Sequence, residues 1–488
     1  IMATDQFYLI ILCLLLALAN CVTSKSILAV PNSCTNVGEQ DCDCASTINR
    51  DSFPEDFVFG AGSSAYQYEG AAAEDGKGPS IWDNFTAEYP EKIKNGSNGS
   101  VADDSYHRYK EDVKIIKEMG LDSYRISLSW SRILPRGKEG PVNQHGVNYY
   151  NNLINELQAN GITPFVVLFH WDLPQALEDY NGFLNRSIVS EFEYYANVSF
   201  RAFGDRVKYW TTLNEPWTYS SYGYDSGALA PGRCSSWKEP SCPKGNSAVE
   251  PYEATHYQLL SHAAAVNLYR QKYQESQGGK IGITLVTRWM VPISDEPDNI
   301  TATERALNFS LGWFMDPITT GDYPACMRSL VGSRLPEFSK EESDILKNSY
   351  DFIGLNYYTA RYVVDDSLSK YEHESYATDP HANQTTERNG ECIGPTYGSS
   401  WIYVYPRGIR DLLKYVKETY NDPVIYITEN GIEDLEDDKI QIWEALHDQK
   451  RIKYHSKHLC CIHKAIYEDG VRVKGYFAWS LLDNFEWS

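Results

Sequence analysis

Basic residues are scarce in this chain. Lys and Arg number 44 against 66 Asp and Glu in 488 residues, a formal net charge of −22. Such an acidic surface repels phosphate backbones and anionic headgroups, which excludes nucleic acid and membrane surfaces as partners. Long apolar runs are missing as well. The one candidate, residues 7–19, is too short to span a bilayer comfortably, and small or polar residues follow it to position 24. It reads as the core of a signal peptide over residues 1–24, although a basic residue is absent from this segment. Ile1 ahead of Met2 suggests a translated fragment whose true start is Met2. Cys/His clusters with ligand spacing are also absent, so neither zinc nor another metal or cofactor is expected. No internal repeat and no linker-like segment divides the chain.

What is present suits a large globular core. Hydrophobic residues make up 42% and charged residues 23%, enough for one large barrel or two to three ordinary domains. Aromatics reach 13%, with 12 Trp and 36 Tyr. Most belong in a core, and some would suit walls that stack on sugars. Outside the leader stand nine Cys: 34, 42, 44, 234, 242, 326, 392, 460 and 461. A secretory start makes disulfides the expected state, and an odd number leaves at least one thiol unpaired within the chain. Asn-X-Ser/Thr sequons at Asn84, Asn95, Asn98, Asn185, Asn197, Asn299, Asn308 and Asn383 point the same way.

Two stretches organise the rest. Residues 424–428 form an apolar, β-branched and aromatic run, preceded by Asp422-Pro423 and stopped by Asn430-Gly431. This predicts a buried strand with Glu429 at its carboxyl end. Residues 209–213 repeat the shape and end in Asn214-Glu215-Pro216-Trp217. Ligands bind at the carboxyl ends of strands in parallel α/β folds. Two such strands would present two carboxyls to one pocket, the pair that glycoside hydrolysis needs.

Short strands and helical patterns alternate along the chain. Strands are predicted near 57–61, 123–127, 164–169, 209–213, 280–285, 351–355, 424–428 and 473–479, with helices near 188–203, 253–273, 408–420 and 451–467. This number and order predict an α/β fold, a closed (β/α)₈ TIM barrel over residues 53–488. An irregular arm at 25–52 precedes it. Long excursions at 215–250, 286–350 and 359–400 would build a deep pocket at the carboxyl face. An open doubly wound sheet is the alternative.

With these residues placed, Thr212-Leu213-Asn214-Glu215-Pro216 and Ile427-Thr428-Glu429-Asn430-Gly431 resemble the two signature strings of glycoside hydrolase family 1. Residues 57–70 resemble its N-terminal signature, and plant β-glucosidases are the nearest likeness. The resemblance implies a retaining β-glucosidase, with Glu429 as nucleophile, Glu215 as acid/base and a small-molecule β-glucoside as partner. It implies that Arg125 keeps Glu429 ionised and that Tyr358 hydrogen-bonds it. Gln67, His170, Asn214, Glu486 and Trp487 match residues that hold sugar hydroxyls. Trp479 matches the platform under the ring, Asn356 a site-supporting Asn and Trp401 an aglycone-side residue. Cys234 and Cys242 resemble the family's loop disulfide. Partial counterparts of the arm's Cys in plant thioglucosidases imply that Cys34 and Cys42 reach the helix carrying Cys460 and Cys461. Relatives continue through a final helix. A chain stopping at Ser488 is therefore expected to be C-terminally truncated, lacking that helix.

The expected activity is hydrolysis of O-β-D-glucosides of small plant secondary-metabolite aglycones. A thioglucosidase would carry Gln in place of Glu215 and an Arg in the loop that here reads Thr218 to Tyr222. A transglucosidase using the same intermediate is a further alternative, and a glucoside-binding or storage protein is the non-enzymatic one. A secretory route is expected, to the cell wall, vacuole or an ER-derived compartment.

Overall fold

The computed structural model describes residue 42 and residues 44–397, 401–433 and 440–487. The proposed leader, most of the arm and Cys34 lie outside these residues. Eight strands build the centre: β1 (Val58–Gly62), β2 (Ser123–Ser127), β3 (Thr163–Phe169), β4 (Tyr209–Asn214), β5 (Lys280–Val286), β6 (Phe352–Asn356), β7 (Ile425–Asn430) and β8 (Val473–Ala478). Each runs parallel to its predecessor, and β8 pairs with β1, so the sheet closes on itself. Between them lie α1 (Ser105–Glu118), α2 (Gln144–Ala159), α3 (Ile188–Phe203), α4 (Glu250–Lys272), α5 (Trp313–Thr320), α6 (Pro406–Thr419) and α7 (Gln449–Tyr467). The fold is the expected (β/α)₈ barrel, and the open sheet is excluded.

The barrel floor is aromatic. Phe165, Phe352, Tyr426 and Phe477 meet inside it, with ring centroids 5.1 Å apart for Phe165–Phe477 and 5.2 Å for Phe352–Tyr426. Full burial of each side chain contributes about 1.5–3 kcal/mol, so the floor stiffens the strands whose far ends carry the site. Gly60 is required beside it, because a Cβ there would lie 2.5 Å from the Phe477 ring.

The long excursions have their own structure. Trp289–Pro292, Ala360–Asp365 and Ala382–Thr385 form a three-stranded sheet over the carboxyl face. Cys234–Cys242 closes a loop after β4. The arm is stapled twice to α7, by Cys42–Cys461 and Cys44–Cys460. Thus Cys44 takes a place that the resemblance left to Cys34, and both adjacent Cys of α7 are engaged. Cys392 is also disulfide-bonded, and Cys326 is the free thiol among the described residues.

Candidate active site

Pairing is irregular at the ends of both carboxylate strands. The register of β7 shifts between Ile427 and Glu429 against β6, and that of β4 shifts between Thr211 and Asn214 against β5. Strict alternation from Tyr426 in the floor would aim Thr428 and Asn430 inward and Glu429 outward. The irregularity changes this from Glu429 onward, while Thr428 stays inward with its Oγ1 donating to Asn356 Oδ1 at 2.7 Å. Asn430 faces outward, where its Nδ2 donates to the Tyr454 hydroxyl of α7 at 3.1 Å and its Oδ1 accepts from Tyr476 at 2.8 Å. Glu429 turns into the barrel mouth. Glu215 gets there differently: its backbone is left-handed, with φ 44° and ψ 57°, as it enters a short helix at Pro216–Ser220. Pro216 takes the first helical position, where a missing N–H costs nothing. Such a conformation costs a non-glycine residue about 1 kcal/mol or more and persists where surrounding structure fixes it.

The two carboxyls have different partners. Glu429 is 3% exposed, accepts from an Arg125 guanidinium nitrogen at 2.7 Å through Oε1, and accepts from the Tyr358 hydroxyl at 2.7 Å through Oε2. Glu215 is 6% exposed and has neutral partners, Asn356 Nδ2 at 2.6 Å and Thr218 Oγ1 at 2.8 Å. Burial first, and then the charge of Glu429, push the Glu215 carboxyl up to about 8. Burial also raises Glu429, opposed by Arg125 and by the Tyr358 hydroxyl. Arg125 thus opposes the rise, but desolvation outweighs it. The arrangement still separates the pair, because the carboxylate in contact with a guanidinium ionises more readily than the one without a cation.

Asn214 links the halves. Its Oδ1 accepts from Arg125 at 2.6 Å and from Asn356 at 3.2 Å. The amide nitrogen therefore faces His170 Nε2, 3.1 Å away. That nitrogen must accept, which leaves the proton on His170 Nδ1, a buried atom with no partner. Burial and Arg125 lower the His170 pKa well below its usual value, so the ring is neutral.

The remaining positions gather at the same mouth with one exception. Gln67, fully buried, donates to Asn484 Oδ1 and to the Phe485 carbonyl, each at 2.7 Å. It anchors the loop that presents Glu486 and Trp487. Trp487 is buried against Trp82 and Trp171, with centroids at 4.5 and 4.8 Å. Trp479 stands beside His170 at 5.7 Å with nearly parallel rings, and its Nε1 donates to Glu486 at 3.3 Å. Glu486 is surrounded by protein yet reached by solvent through the mouth, and its carboxyl is pushed up to about 8 by burial and by Glu433. Trp401 is the exception. It lies at the rim, 41% exposed, against the Tyr358 ring at 5.5 Å, with its Nε1 donating to Glu433 at 3.0 Å.

Reading from the sequence missed Thr218, Asn430 and Tyr454. Thr218 had a local signal, since it follows Glu215 by three positions at a helix start. Tyr454 had none, because it reaches Asn430 from α7 only in the closed barrel.

A closed (β/α)₈ barrel with two buried, unequally supported carboxyls at its carboxyl mouth defines a glycoside-hydrolase architecture. Residues 49–488 match the family model described as "Glycosyl hydrolase family 1". The chain belongs to that family and is a glycoside hydrolase of the β-glucosidase kind. It is 59% identical to β-glucosidase 24 of Oryza sativa subsp. japonica over 90% of this chain and 88% of that protein. It is 54% identical to raucaffricine-O-β-D-glucosidase of Rauvolfia serpentina over 92% of this chain and 87% of the relative. Among solved structures, a rice Os3BGlu6 β-glucosidase mutant in a covalent complex with Glc superposes with a TM-score of 0.89. The two are 50% identical, with 90% and 92% of the chains covered.

Proposed function

We propose that the enzyme hydrolyses O-β-D-glucosides of small plant secondary-metabolite aglycones with retention, Glu429 attacking and Glu215 serving as acid and then base. The observation that carries this is the unequal support of the two carboxyls. Glu429, held by Arg125 and Tyr358, is the one suited to be ionised. It attacks the anomeric carbon as Glu215 gives its proton to the leaving oxygen. Esterification then removes the Glu429 charge. One of the causes that hold the Glu215 proton disappears with it, so Glu215 becomes a base for the incoming water.

His170 Nδ1–H is placed to donate to a sugar hydroxyl, and Asn214 and Glu486 offer further polar groups around the ring. Trp479 supplies its platform, and Trp401 at the rim meets the aglycone. A leaving thiolate needs no proton, so a carboxyl at Glu215 favours O-glucosides over thioglucosides. The raucaffricine glucosidase likeness supports an aglycone of secondary metabolism. The three disulfides at Cys42, Cys44 and Cys234 support a secretory route, where oxidising conditions maintain them.

A 2-deoxy-2-fluoro-β-glucoside with a good leaving group tests the assignment. Peptide mapping should find the stable adduct on Glu429 and none in Glu429→Ala. An adduct on another carboxylate would overturn it.

A further inference from the structure

Among the described residues, four arginines are buried, and three hold carboxylates: Arg125 with Glu429, Arg132 with Glu69 and Arg233 with Glu250. Arg361 does not. Its guanidinium donates to Thr359 Oγ1 at 3.0 Å and to the carbonyls of Ala360 and Trp401, each at 2.7 Å, and it lies 5.1 Å from the Tyr403 ring centre. Burial and the nearby charge of Arg288 push its pKa down to about 10. Arg288, just past β5, likewise has neutral partners among the described residues. It donates to the Tyr222 hydroxyl at 3.0 Å and to Gln384 Oε1 at 3.2 Å, and lies 5.8 Å from the Trp217 ring centre. Two like charges close together without a counter-ion are costly, and although a protein of net charge −22 has acids to spare, none is paired with either among the described residues.

The placement suggests what would compensate them. Trp217 and Tyr222 belong to the segment that follows Glu215, and Trp401 packs on the Tyr358 that donates to Glu429. All three residues that Arg288 touches line a cavity of about 190 Å³, which Phe309 and Tyr376 also line. That space and those rings suit an aromatic group. Asp225 lines the cavity as well, but its carboxylate is paired with Lys238 Nζ.

Building on the glucosidase reading, we infer that Arg288, with the field of Arg361 behind it, is a specificity-determining residue for glucosides whose aglycone carries a carboxylate. The anion meets Arg288 on the aglycone side while the ring occupies the aromatic cavity. Because the contact is made to the aglycone and not to the atoms of the reacting bond, it acts chiefly on substrate capture.

Ortho-, meta- and para-carboxyphenyl β-D-glucosides, each beside its uncharged carboxamide, test this with wild type, Arg288→Gln and Arg288→Lys. The ratio of kcat/KM for acid over amide, compared between enzymes, cancels differences in leaving ability. For at least one isomer, Arg288→Gln should lower that ratio by about 10–100-fold, the worth of one charge-assisted hydrogen bond. The loss should appear mainly in KM, and Arg288→Lys should restore part of it. Hydrolysis of neutral 4-nitrophenyl β-glucoside should be unchanged. The same ratio in wild type and Arg288→Gln for every isomer would overturn the inference. Should that variant not fold, the wild-type ratio decides. A fall between about 0.05 and 0.5 M salt supports the proposal, and no change overturns it. Failure of the glucosidase reading itself looks different, since wild type would then leave 4-nitrophenyl glucoside intact.

Discussion

Arg125 reaches Glu429 and Asn214 with two nitrogens of one guanidinium, at 2.7 and 2.6 Å. The strands that carry the two carboxyls are thereby tied through a third. Removing the charge should raise Glu429 further, since Arg125 opposes the effect of burial. Arg125→Gln should therefore move the acidic limb of the kcat/KM profile upward by about one to three pH units. A pH–rate profile on 4-nitrophenyl β-glucoside checks it. An unmoved limb would show that the guanidinium only packs.

The wild-type profile should be bell-shaped. Glu429 must be ionised, and burial raises it, so the acidic limb should lie above the ordinary carboxylate value of 4.5. Glu215 must be protonated, and its carboxyl stands at about 8, so activity should fall as pH rises through that region. The limbs belong to the pair rather than to either residue alone.

The same shift affects stability. A carboxyl whose folded pKa is raised contributes stability that is fully present below its unfolded pKa of about 4.5 and is lost as pH rises through about 8. Glu215→Gln removes this penalty. Its Tm should exceed that of wild type by on the order of a few degrees at pH 8–9, with the gap closing towards pH 4. Calorimetry across pH would reveal a constant gap if the effect were only packing.

Loss of Glu215 should also matter in proportion to how badly the leaving oxygen needs a proton. Glu215→Gln should keep the first step on a nitrophenyl glucoside and lose roughly 10²–10⁴-fold on an alkyl glucoside. On the activated substrate it should show a burst, because the base for water is gone. Azide needs no base and should restore turnover, giving β-glucosyl azide. Equal losses on both substrates without azide rescue would reduce Glu215 to a structural or sugar-binding role.

The paired staples should not add. Cys42–Cys461 closes 419 residues of sequence and Cys44–Cys460 closes 416. With one bridge in place, the other closes a loop of only a few residues. Losing either alone should lower Tm slightly. Losing both should cost on the order of 6 kcal/mol by the chain-entropy argument. Activity should fall as well, because Tyr454 of α7 also donates to the Tyr358 carbonyl at 3.0 Å. Melting curves of the single-pair and double-pair Ser variants decide between this and simple additivity.

The sequence by itself determined the barrel strands, because each is a short apolar run bounded by turn formers. Ser123–Ser127 and Ile188–Phe203 match their predicted bounds, the long helix after β4 starts three residues earlier than predicted, and the rest differ by a residue or two at their ends. It also placed both Glu residues at strand ends, since that depends on order along the chain. Local pattern could not show which way those residues point. Glu429 faces inward only because pairing with β6 slips after Ile427. Gly431 beside it is required because a Cβ there would lie 1.9 Å from the Trp479 carbonyl. The split between the carboxyls was equally hidden. It depends on Arg125, which lies 304 positions from Glu429, and on how much water the assembled mouth removes. Desolvation and cross-barrel contact are properties of the closed structure, so only the tertiary fold could set the charge of the two residues that the sequence had already put in place.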